Sequence, residues 1–78
     1  MDNKELIKKI EIKMLDAKRH FGTFKLHMEQ AEKLIKAGFE SNPVNKVYLQ
    51  NAENILASFV SNGSVREIMR LMQGKGEK

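Results

Sequence analysis

Cysteine is absent from this chain, which excludes disulfides and any thiolate-held metal. The chain has 78 residues, and one this short buries a smaller fraction of its surface than a larger domain does. Small chains without disulfides or a structural metal are held together by well-formed helix packing or by oligomerisation. Aromatic residues make up only 6% of the chain and the single proline is Pro43. Val and Ile are scattered, so no alternating strand pattern emerges. No window approaches the roughly 18 uninterrupted apolar residues of a membrane span, and "MDNKELIKKIEIK" lacks the apolar core of a secretion signal. These absences predict a cytoplasmic, all-α protein with no membrane association.

A strong excess of one charge is also missing. The net charge of +4 comes from basic residues interleaved with acids, nine Lys/Arg against six Asp/Glu in residues 1–38 and five against four beyond. A dedicated nucleic-acid binder concentrates its cations, whereas mixed charge suits a solvated helical surface.

Helical periodicity is what the sequence has in abundance. Steps of three and four from Ile7 give Ile7, Ile10, Met14, Ala17, Phe21, Phe24, Met28, Ala31 and Ile35, all apolar. Such a run arises by chance on the order of a few times in ten thousand per register, so it predicts one long helix over about 3–37. Asp2 or Asn3 can cap its start, and Gly38 stands where a left-handed terminating residue is expected. Because the phase survives "RHFGTFKLH", Gly22 is expected to lie inside this helix as a packing contact and not as a hinge. A mid-helix glycine costs ~1 kcal/mol relative to alanine, which calls for such a reason.

Asn42 and Pro43 fit the cap and first position of a second helix over about 43–61. Its apolar face is Val44, Tyr48, Ala52, Ile55 and Phe59, widened by Leu49, Leu56 and Val60, and Asn62-Gly63 reads as its stop. "SVRE" from Ser64 has the form of a capping box and predicts a third helix over about 65–73, with Val65, Ile68, Met69 and Met72 on its apolar face. Residues 1–73 are thus expected to form a single domain, with 74–78 a solvated tail. The expected fold is one long helix with two shorter ones folded back along it, a helical bundle or coiled coil completed by self-association.

The inventory for chemistry is thin. No Walker, dinucleotide-binding or G-x-S-x-G motif occurs, and His20 and His27 are seven residues apart instead of the four that a helical zinc pair uses. No catalytic residue, cofactor or metal is expected. Two binding surfaces are more promising. Ile12, Leu15 and Leu26 fall opposite the seam at ~100° per residue, with Arg19 and Gly22 between them, and a helix packed once needs no second apolar stripe. These five residues predict a contact surface for another subunit or a protein target, so the first expectation is a homodimeric regulator or adaptor. The second is a DNA-binding regulator: the last two helices have the outline of a helix-turn-helix, placing Arg66, Arg70 and Gln73 on one exposed face.

Overall fold

The computed structural model describes residues 3–73. Four α-helices account for most of them: α1 (Asn3–His20), α2 (Lys25–Glu40), α3 (Lys46–Leu56) and α4 (Gly63–Met72). Short 3₁₀ turns at Gly22–Phe24 and Ala57–Phe59 separate the first and second pairs, and there is no strand among the described residues. The expected tail at 74–78 and the capping role of Asp2 lie outside the described residues.

The helix expected over 3–37 is two helices, not one. A straight helix of that length would measure ~52 Å, whereas the longest dimension of the protein is 33 Å. Lys18 pairs with Glu32 at 2.6 Å and Glu11 with Lys36 at 2.5 Å. The Asn3 side-chain amide donates to the Phe39 carbonyl at 2.9 Å. Each contact joins an earlier position on α1 to a later one on α2, so the helices run antiparallel. The reversal occurs where Phe21, Gly22, Thr23 and Phe24 stand together, all weaker helix formers than alanine, leucine or lysine. Phe21 (φ −107°, ψ 51°) and Phe24 (φ −110°, ψ 28°) leave helical geometry on either side of the 3₁₀ turn.

Doubling back turns one apolar seam into two facing ones. Ile10, Met14 and Ala17 of α1 and Met28, Ala31 and Ile35 of α2 are all buried, as the sequence pattern predicts. Leu56, Val65 and Ile68 close the core from α3 and α4. α1 lies against α2 and α4, and α2 lies against α3. The Cα radius of gyration, 11.4 Å, matches the ~11.5 Å of a compact chain this long. The accessible surface, 5145 Å², is near the ~4,900 Å² of a folded monomer of this mass. One chain therefore encloses a core of its own.

Helix boundaries depart from expectation for identifiable reasons. α2 continues through Gly38, which is buried, and ends at Ser41, whose amide and hydroxyl both donate to the Ala37 carbonyl. Gly38 is thus a helix–helix contact and not a terminating residue: a Cβ there would lie 2.8 Å from Leu49 Cδ2. The second helix begins at Lys46 because Asn45, not Asn42, is the cap, its Oδ1 accepting the Tyr48 amide at 3.1 Å. Asn45 is fixed in turn by its own amide, which donates to the Gly38 carbonyl at 2.9 Å. Asn62-Gly63, expected to stop one helix, starts the next: Asn62 Oδ1 accepts the Val65 amide at 3.1 Å. Ser64 is therefore not the cap, and its hydroxyl reaches across to Asp16 Oδ2 at 2.6 Å, tying α4 to α1.

Candidate interaction surface

The outer face of α1 follows from which of its residues the core consumes. Ile7, Ile10, Met14 and Ala17 point inward. Glu11 and Lys18 lie at the α2 edge, held there by Lys36 and Glu32. Leu15 is four residues after Glu11 and three before Lys18, so it stands between these two ion pairs on the same helix side. It is 61% exposed, and Ile12 next to it is 66% exposed. Lys36 is raised above the usual lysine range, chiefly by its hydrogen bond to Glu11.

Two shallow grooves flank Ile12. One, of about 410 Å³, runs towards α2 and is lined by Lys8, Glu11, Ile12, Leu15 and Glu32. The other, of about 330 Å³, runs towards α4 between Ile12, Lys13, Glu67, Arg70 and Leu71. Ile12 is the ridge between them. An apolar ridge rimmed by charges, of which Glu11, Glu32, Glu67 and Arg70 are paired within the chain, is suited to burying a partner's side chains.

Of the five residues expected to share this surface, three lie on α1, one in the turn and one on α2. Ile12, Leu15 and Arg19 lie on α1, and all three are exposed. Leu26, 78% exposed, is on α2, on the far side of the reversal. It lies six residues, or ~9 Å, nearer the turn than Glu32, which borders Leu15. Gly22 opens the 3₁₀ turn instead of lying inside a helix, and a Cβ on it would meet nothing of its own chain within 4 Å.

The nucleic-acid candidates are exposed but engaged. Arg66 donates to the Val60 carbonyl at 2.6 Å, and Arg70 forms a forked pair with Glu67 at 2.6 and 3.2 Å. The hydrogen bond from Arg70 holds the Glu67 carboxyl below its ordinary range. The Gln73 amide donates to Glu53 at 3.1 Å. Among the described residues no cluster of His, Asp and Glu could hold a metal ion. His20 packs edge-on to Phe21 with ring centroids 4.7 Å apart, and His27 lies beside Phe24 at 5.8 Å. No helix among these residues is long and apolar enough to cross a membrane.

Two features escaped the sequence pattern. Phe21 and Phe24 of the first turn meet Phe59 of the second, with centroids 4.9 and 5.3 Å apart, joining the two turns at one end of the bundle. The pattern did mark all three phenylalanines as apolar-face residues, but not that they converge. On α3 the buried face is Ala52 and Leu56, while Val47 and Tyr48, 67% and 40% exposed, point outward. The expected face is rotated because Leu49 turns in against Gly38. A compositional signal was available: Glu53 is the sole charge between Val47 and Val65.

The chain matches no family model, and comparison with curated proteins and with solved structures also gives no match.

Proposed function

We propose that this protein is a small interaction module, a non-enzymatic regulator or adaptor that works by offering the outer face of α1 to another protein. The observation that carries this reading is the exposure of Ile12 and Leu15 side by side on a helix whose inner face already closes a complete core. Leaving two large aliphatic side chains in water forfeits roughly 1.5–3 kcal/mol for each relative to burial, which association through this face would recover. DNA binding has weaker support, since Arg66, Arg70 and Gln73 each have an intramolecular partner that base or phosphate contact would have to displace.

The test is affinity capture from cells expressing the protein, wild type against the Ile12→Glu/Leu15→Glu variant, with and without nuclease. A protein retained by wild type, insensitive to nuclease and lost from the variant is the expected result. Equal capture by both refutes this face as the interaction surface, and loss on nuclease treatment transfers the reading to nucleic acid.

A further inference from the structure

The charges around Ile12 and Leu15 define the chemistry that would cover them. We propose that the outer face of α1 takes an acidic amphipathic helix of another protein, whose apolar side chains enter the grooves beside Ile12 and whose carboxylates meet Lys8, Lys9 and Arg19. This inference rests on the reading of the face as a protein-binding surface and names the chemistry of its partner.

The helix carries six basic residues, Lys4, Lys8, Lys9, Lys13, Lys18 and Arg19, against the three acids Glu5, Glu11 and Asp16, a net +3 out of the +4 of the whole chain. Its acids are engaged within the chain. Glu11 pairs with Lys36, Asp16 accepts the Ser64 hydroxyl at 2.6 Å, and Glu5 also has a partner. Two of the bases are engaged as well, Lys18 by Glu32 and Lys13 by the Glu67 carboxylate, whose ionised form it favours. Lys4, Lys8, Lys9 and Arg19 are exposed and form no ion pair among the described residues.

This surplus is local to the apolar ridge, because Lys8, Lys9 and Arg19 all fall within ~60° of Ile12 at helical spacing. Lys8 lines the groove towards α2, whose acids Glu11 and Glu32 are both paired, and Lys9 lines the groove towards α4, where Glu67 is paired with Arg70. Each groove thus joins an apolar wall from Ile12 to a lysine without an ion-pair partner. A neutral or basic partner would cover these lysines without a counter-charge, whereas carboxylates at the rim would pair with them.

The relief of the surface chooses among anionic partners. A nucleic-acid backbone uses the cations and leaves Ile12 and Leu15 in water. A bilayer surface meets the cations and the aliphatic side chains, but it is flat and leaves the grooves on either side of the ridge unfilled. A helix with apolar side chains on one face and carboxylates beside them satisfies all three features.

A display library of helical peptides of about 14 residues, roughly four turns, tests the charge of the partner on the full chain. Leucine is fixed at helical spacing, and Glu, Gln and Lys occur in equal proportion elsewhere. The retained peptides are expected to be rich in Glu and poor in Lys, and a fluorescein-labelled copy of the most enriched one should bind more weakly as salt rises. In that anisotropy titration Lys8→Glu/Lys9→Glu should weaken binding by about tenfold and Ile12→Glu/Leu15→Glu should abolish it. Lys25→Glu/Lys46→Glu makes the same change in net charge at exposed positions of α2 and α3, and should leave binding within about twofold of wild type.

A library from which nothing is retained, retained peptides without enrichment in Glu, or equal weakening by the two lysine-reversed variants overturns the proposal. Binding to phosphatidylglycerol vesicles or to a DNA duplex, with none to peptide, overturns it too. If leucine-striped peptides are retained whatever their charge and lost from the Ile12→Glu/Leu15→Glu variant, only the acidic partner falls. If that variant retains them equally well, the reading of the face as an interaction surface falls with it.

Discussion

Replacing Gly38 by alanine probes the closest helix–helix contact in the fold, and two opposing effects decide its outcome. A Cβ at this position lies 2.8 Å from Leu49 Cδ2, 3.0 Å from Leu49 Cγ and 3.2 Å from the Asn45 carbonyl oxygen. The first two atoms belong to a half-buried side chain with some freedom to turn. The third is backbone, and it also accepts the Leu49 amide at 3.3 Å while the Asn45 side chain caps α3. Relief therefore requires the first turn of α3 to move away from α2. Overpacking of this kind costs ~1–3 kcal/mol. Alanine in a helix interior returns up to ~1 kcal/mol over glycine. The expected net loss is about 1 kcal/mol, or roughly 4–8 °C in Tm for a domain of this size. Urea unfolding followed by far-ultraviolet circular dichroism measures it, with an unchanged m-value. In a Leu49→Ala background most of the clash is removed, so the same substitution should become neutral or stabilising, and the double-mutant cycle isolates the contact. A Gly38→Ala protein as stable as wild type, with no coupling to Leu49, would refute the close approach of α2 and α3.

Gly22→Ala is the same chemical change with the opposite expected sign: with open space around the new methyl group it should raise stability by ~0.4–1 kcal/mol in the same urea assay. A loss there would show that the turn needs glycine. Met14→Ala, at a side chain with no exposed surface, should cost ~2–5 kcal/mol, whereas Ile12→Glu/Leu15→Glu should alter stability by no more than about 0.5 kcal/mol at each position. Comparable losses in thermal unfolding would mean that the outer face is core. Arg70→Ala should return the Glu67 carboxyl to its ordinary range in an NMR pH titration. The folded-state value is depressed, so the associated stability is present above the unfolded carboxylate pKa and is lost as pH falls through the folded one. A titration unchanged by Arg70→Ala would show that the forked pair does not form in solution.

The burial pattern was the most legible property of the sequence, and the chain reversal the least, for the same reason. Ile7, Ile10, Met14 and Ala17 mark a face at helical spacing, as do Met28, Ala31 and Ile35, and each of them is buried. A seam that keeps its phase is compatible with two geometries: a straight helix against a separate layer, or a hairpin whose halves supply that layer for each other. Periodicity cannot distinguish them because it records which side of the chain is apolar, not what covers it. The same limit applies to α3, where the spacing admitted Tyr48 to the buried face but only the contact between Leu49 and Gly38 fixes the rotation of the helix. It applies again at the caps, where two asparagines flank Pro43 and the one selected, Asn45, is the one whose amide reaches the Gly38 carbonyl.

What selects the hairpin is an energy difference between local and tertiary terms. Continuing the helix through Phe21, Gly22, Thr23 and Phe24 would forgo roughly 2–3 kcal/mol of helix propensity relative to alanine. It would also leave the inner faces of α1 and α2 without each other. Met14, Met28 and Ile35 have no exposed surface in the hairpin, and uncovering side chains of this size costs roughly 1.5–3 kcal/mol apiece. Both contributions favour reversal, and the tertiary one is larger. The candidate surface was legible for the complementary reason. Once the inner faces are satisfied within the chain, Ile12 and Leu15 remain apolar without a structural use, and that surplus can be read from the helical wheel of α1 whether or not the helix continues past Gly22. Leu26 was grouped with them on the same wheel, and the structure places it on α2, across the reversal from Ile12 and Leu15.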